Sequence, residues 1–131
     1  MIVDILLDKY ISDCSKQEFE WGKLDCALFV SGWVEVLTGE NPAKQSIGKY
    51  STKIGANRHL VKIYGSLQKA ADDRYMRVPV KKRQKGDIAL CDMDFGKTFG
   101  IIGVRGFVWF KTENMGVIQA KPKILNVWRV I

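Results

Sequence analysis

Cysteine and histidine are scarce in this chain and neither forms a pattern. Three cysteines, Cys14, Cys26 and Cys91, are spread through 131 residues with no CxxC and no zinc-like spacing. An odd number in a lysine-rich chain favours reduced thiols over a disulfide framework. No apolar run approaches the roughly 18 residues that a membrane helix needs, and the start, Met1-Ile2-Val3-Asp4, lacks the basic n-region and cleavage site of a signal peptide. Internal repeats and low-complexity stretches are missing as well. These absences point away from a secreted disulfide scaffold, a zinc module, a membrane span and a repeat array. They lead to the expectation of a protein made and folded in a cytoplasm, with no metal or cofactor.

What is present is ordinary globular material: 47% hydrophobic and 27% charged residues, enough for residues 1–131 to form one domain with its own core. The net charge of +7 reads either as a solvated surface or as attraction to an anionic partner. Much of the excess lies in Arg77, Lys81, Lys82, Arg83 and Lys85. Without interleaved aromatics or a recognised motif, that run is weak support for nucleic acid.

One stretch stands out, Phe19-Glu20-Trp21-Gly22-Lys23-Leu24-Asp25-Cys26-Ala27-Leu28-Phe29-Val30. Asp25 suits an N-cap, its carboxylate accepting from the free amides of the next turn. Cys26 then falls at the first helical position, where the positive helix end favours a thiolate. Phe29, Val30, Trp33, Val34 and Leu37 follow at i, i+3, i+4 spacing, one apolar helical face. A buried helix presenting a thiol at its start is the arrangement that a cysteine nucleophile uses.

Elsewhere, Val3, Leu6, Leu7, Tyr10 and Ile11 predict a helix over 3–14, with Cys14 as a small core residue. The second helix, 26–37, stops at Thr38-Gly39-Glu40-Asn41-Pro42. A third pattern runs over 54–64 with Leu60, Val61 and Tyr64 inward, and Ser66 caps a short helix through Ala71. His59, the chain's one histidine, lies on the third helix. After Asp73 the texture becomes extended. Pro79 argues against a central strand, and Gly86-Asp87 launches a strand over 88–91. Residues 92–97 read as a loop. Strands follow over 99–104 and 107–110, joined at Arg105-Gly106, then at 117–118 and 125–131. Helices first and an antiparallel meander second make an α+β layout, with helices packed on a sheet or open barrel.

These elements, in this order, resemble the NlpC/P60-like cysteine peptidase superfamily of the papain-like class, and more closely its small phage and prophage tail-associated branch. The likeness rests on Phe19-x-Trp21-Gly22, Asp25-Cys26-x-x-Phe29-Val30, Gly86-Asp87, Thr98-Phe99-Gly100-Ile101-x-Gly103 and Trp128-Arg129-Val130. The resemblance implies Cys26 as the nucleophile and a histidine one residue before the Phe99-Gly100-Ile101 segment as the base. That position holds Thr98, whose hydroxyl is not basic near neutral pH. The third, orienting residue falls near Phe110, with Thr112 and Glu113 close by.

Three functions are compatible with this pattern. One is a degenerate peptidase serving as a binding or tail-assembly module, with Trp21 and Gly22 packing under the helix, Cys26 a small buried residue, and Trp21 and Asp25 as candidate binding residues. Another is an active peptidase or amidase on peptide bonds or peptidoglycan, with Cys26 as nucleophile and His59 recruited as base. The third is a phage protein that binds a host protein or nucleic acid through Lys81, Lys82 and Arg83. The implied partners are a phage structural protein, a host protein or a peptidoglycan peptide, in the bacterial cytoplasm at synthesis with the virion as a destination, and no membrane.

Overall fold

The computed structural model describes residues 2–94 and 96–130. Among them the architecture is α+β: four α-helices come mainly first and a six-stranded antiparallel sheet follows. The helices are α1 (Ile2–Ser15), α2 (Cys26–Thr38), α3 (Lys53–Ile63) and α4 (Leu67–Asp72). The strands are β1 (Met76–Val78), β2 (Ile88–Met93), β3 (Gly96–Ile102), β4 (Val108–Thr112), β5 (Gly116–Ala120) and β6 (Lys123–Arg129), in spatial order β1-β6-β2-β3-β4-β5.

Helix α2 is the central support. Its apolar stripe places Phe29, Val30, Trp33 and Val34 in the core with Leu7 of α1 and Ile88, Leu90, Ile101 and Trp128 of the sheet. Trp33 is fully buried, and its indole N–H donates to the Gly86 carbonyl at 2.8 Å. The Gly86-Asp87 turn thereby fixes the sheet to the helix. Gly86 has φ +94, and a Cβ there would lie 2.6 Å from Val3 Cγ1, so the position requires glycine on two counts. Buried Asp87 accepts from Arg129 Nη2 at 2.9 Å and from the Gln84 amide at 2.8 Å, tying the same turn to β6.

The opposite side of the sheet carries a second apolar cluster of Ala89, Cys91, Ile102, Val108 and Phe110. Adjacent residues Val127 and Trp128 on β6 are both fully buried. Side chains alternate along a strand, so β6 is covered on both faces there, as its composition suggests. Burial pushes the Cys91 thiol up to about 12 and raises the Cys14 thiol too. Both behave as small core residues.

Four sequence expectations need correction. Residues 92–97 are mostly strand, since pairing continues to Met93 opposite Gly96. Phe95, part of that expected loop, lies outside the described residues, as does Ile131 of the expected last strand. Val61 is 65% exposed and α3 contains no fully buried residue; this helix borders a cleft instead of packing into the core. The expected strand starts at 99 and 107 move to Gly96 and Val108. Pro79 does mark an edge: β1 ends at Val78 on the outside of the sheet.

Asp72, at the end of α4, accepts from Arg77 Nε at 2.8 Å and Nη2 at 3.0 Å, and from Trp128 Nε1 at 2.9 Å. These bonds, Arg77's first, hold its carboxyl down at about 2. An unfolded aspartate titrates near ~4. Its stabilising effect is therefore full above that pH and is lost as pH falls toward 2. Urea midpoints of the native chain and Asp72→Asn are expected to differ at pH 6 and to converge between about pH 4 and 2. A pH-independent gap would reject this assignment.

Candidate functional site

The start of α2 is built around one carboxylate. Asp25 is 1% exposed, and its two oxygens accept four hydrogen bonds. Oδ1 takes the amides of Ala27 at 3.1 Å and Leu28 at 2.9 Å; Oδ2 takes the Gly22 amide at 3.0 Å and the Tyr50 hydroxyl at 2.6 Å. Burial and the bond to Asp25 raise the Tyr50 hydroxyl far above its ordinary pKa, so it remains a donor. The expected N-cap is thus present and also joins the aromatic turn to the segment before α3. Gly22 sits at φ +86, where a Cβ would lie 2.0 Å from the Tyr50 carbonyl oxygen. No other residue fits under that carbonyl without moving the backbone.

Cys26 opens α2 beside an open cleft of about 620 Å³. Phe19, Trp21, Tyr50, Leu60, Phe99 and Met115 give the cleft its apolar lining, and Thr98, Lys111 and Glu113 also contribute to its wall. Buried Thr98 lines the same cleft as Cys26, and its hydroxyl donates to the Phe99 carbonyl at 3.5 Å. The structure therefore brings together the two residues that the sequence singled out as nucleophile and base position.

The expected thiolate is not favoured. Burial pushes the Cys26 thiol above its ordinary pKa, and the adjacent Asp25 carboxylate pushes it further. The Thr98 hydroxyl and the amides of Ala27 and Cys26 act in the opposite direction and are outweighed. The reason lies in the cap: the amides at the positive helix end already serve Asp25, which places a negative charge beside the sulfur.

The remaining candidates are held elsewhere. His59 Nε2 is 2.8 Å from Ser46 Oγ, and its ring packs on Tyr50 at 5.6 Å between centroids. It is engaged one residue away from the Asp25 cap and does not line the cleft. Glu113 accepts from Trp21 Nε1 at 2.6 Å, a bridge between the aromatic turn and the β4–β5 turn. Thr112 donates to the Gly116 carbonyl at 2.9 Å and accepts from the Met115 amide at 2.9 Å, closing that same turn. Phe110 is buried in the second apolar cluster.

The basic run is largely divided among structural partners. Arg77 pairs with Asp72, Lys85 with Asp4 at 3.0 Å, and Arg83 donates to the Val80 carbonyl at 2.8 Å. Lys81 and Lys82 remain exposed.

Sequence reasoning missed Lys111. It is only 2% exposed, and its ammonium donates to the carbonyls of Cys14, at 3.0 Å, and Gln17. A cation thereby satisfies the carbonyl end of α1 and fixes that helix to β4. Its signal was a lysine inside the Val108–Thr112 strand pattern.

Two measurements check this site. Asp25→Ala leaves several donors unpaired and is expected to lower stability by about 2–4 kcal/mol in urea titration. An unchanged midpoint would show that the four bonds contribute little. Iodoacetamide labelling of Cys26, followed by mass spectrometry across pH, should rise only above the ordinary thiol range. Thr98→His should bring that rise toward neutrality by pairing the thiolate with an imidazolium. Fast labelling of the native chain at pH 6 would refute the upward shift of the Cys26 thiol.

No curated protein sequence matches the chain. A family model described as a domain of unknown function, DUF6950, matches residues 3–130. That span covers both walls of the cleft and every strand, and the chain belongs to the DUF6950 family.

Proposed function

We propose that this domain is a catalytically silent relative of the NlpC/P60-like peptidases that works as a binding or assembly module, holding a polypeptide segment in the cleft beside Cys26. The observation that carries the reading is that Thr98, and not a histidine, shares the cleft wall with Cys26. Acyl transfer needs a group that removes the thiol proton and later protonates the leaving amine. Threonine can do neither near neutral pH. His59 is bonded to Ser46 instead.

The cleft itself supports binding. It is open and mostly apolar, with a few polar groups at its rim, the usual make-up of a ligand groove. The Trp21–Glu113 bridge links two of its walls across a sequence separation of 92 residues, which gives the groove a defined shape. The proposed occupant is a segment of a phage structural protein or a host protein, in keeping with the phage and prophage domains that the sequence resembles. Among the described residues no helix is long and apolar enough to cross a membrane.

The test compares the native chain with Cys26→Ala on short peptides and on peptidoglycan stem peptides, by mass spectrometry of products and by titration calorimetry. Product formation is expected to be equal to the Cys26→Ala background, with peptide binding retained in both proteins. Turnover that disappears in Cys26→Ala would overturn the reading and establish a peptidase or amidase.

A further inference from the structure

Resting on the reading of the cleft as a polypeptide groove, we infer that the segment it takes is acidic, with carboxylates flanking an apolar side chain. The carboxylates in the cleft wall are both engaged within the protein: Asp25 by four donors and Glu113 by Trp21. The Lys111 ammonium is engaged as well, by the carbonyls at the end of α1. Two charges are left over. Lys53, at the start of α3, and Lys97, near the start of β3, line the cleft from different elements, and both are exposed.

Among the described residues neither lysine has a hydrogen-bond or ion-pair partner. Lys9, Lys23, Lys69 and Lys85 each lie within 4 Å of a carboxylate, at 3.2, 3.3, 3.2 and 3.0 Å, whereas Lys16, Lys44, Lys49, Lys62 and Lys123 have no such partner among the described residues. What distinguishes Lys53 and Lys97 is their place on the cleft wall. The side-chain amides of Asn57 and Asn114 also line the groove and have no partner among the described residues. Phe19, Leu60, Phe99 and Met115 line the same cleft and suit an aliphatic or aromatic side chain. Two cations around an apolar floor are complementary to an acidic peptide with a central hydrophobic residue. A nucleic-acid strand would ask for a continuous basic track beside its stacking faces; the cleft has aromatic side chains but only two exposed lysines.

The experiment selects a random octapeptide display library on the purified full chain and on the Lys53→Glu/Lys97→Glu variant. A control, Ala56→Trp, obstructs the cleft from half-exposed α3. Peptides enriched by the native chain are expected to carry Asp or Glu on both sides of a hydrophobic residue. Synthetic copies should bind the charge-reversed variant at least roughly fivefold more weakly and lose affinity as salt is raised. The variant should in turn enrich Lys- or Arg-bearing peptides. Cleft-dependent enrichment with no charge preference would overturn the acidic assignment and leave the groove reading standing. An absence of enrichment, or enrichment unaffected by Ala56→Trp, would overturn the groove reading and this inference with it. Displacement of the peptides by an oligothymidylate twelve nucleotides long, lost in the charge-reversed variant, would identify a nucleic-acid groove and also overturn the inference.

Discussion

A buried aspartate governs the geometry on one side of the cleft. Asp25 is 1% exposed, and a carboxylate at that depth is tolerated only if its oxygens are fully hydrogen-bonded. Its four donors come from Gly22, Ala27, Leu28 and Tyr50, so one charge fixes the aromatic turn, the start of α2 and the approach to α3 together. Gly22 is needed because the chain passes directly under the Tyr50 carbonyl. Trp21, the next residue back, is thereby positioned to reach Glu113.

The same requirement disfavours nucleophilic chemistry. A helix terminus can stabilise only a limited amount of negative charge, and here the capping carboxylate takes it. Cys26 lies next to that charge in a partly dehydrated setting, and both effects favour the neutral thiol. In a cysteine enzyme a neighbouring imidazolium would counter them. Here Thr98, whose hydroxyl is not basic near neutral pH, shares the cleft wall with the thiol. Cap and nucleophile compete for one helix end, and the third partner decides the outcome.

Much of this was legible in the sequence because it depends on local pattern. The stripe from Phe29 to Leu37 predicts α2, Asp25 and Gly39 mark its ends, and Ser66 marks the start of α4, all within a few residues of the groups they serve. The opposition of Cys26 and Thr98 followed from motif order. What was not legible depends on distant neighbours. Val61 looks like a core residue on an amphipathic helix, yet it is 65% exposed, and the side of α3 that carries Ala56 and Leu60 borders the cleft. Lys111 looks like a strand surface residue until the end of α1 is brought alongside it. In the run from Arg77 to Lys85, Lys81 and Lys82 stay exposed and Arg77 and Arg83 find near partners in Asp72 and the Val80 carbonyl, but the partner of Lys85, Asp4, is remote in sequence. Whether a charge is free is a tertiary property, and periodicity carries no information on it.

The strand order has a consequence for how the molecule is assembled. β6 pairs with β1 on one side and β2 on the other, although it follows both in the chain. Until β6 has been made, a nascent chain presents the unpaired edge of β2 beside the gap that β6 later fills, and β1, which pairs with β6 alone among the described strands, has no neighbour in the sheet. Such a gap accepts any strand of suitable pattern, including β6 of another copy. Exchange of that strand between two nascent molecules is thus the misfolding route that this topology leaves open. The pairing of Arg129 with Asp87, formed only when β6 is in register with the Gly86-Asp87 turn, selects the register of the strand without distinguishing the chain's own β6 from that of a copy.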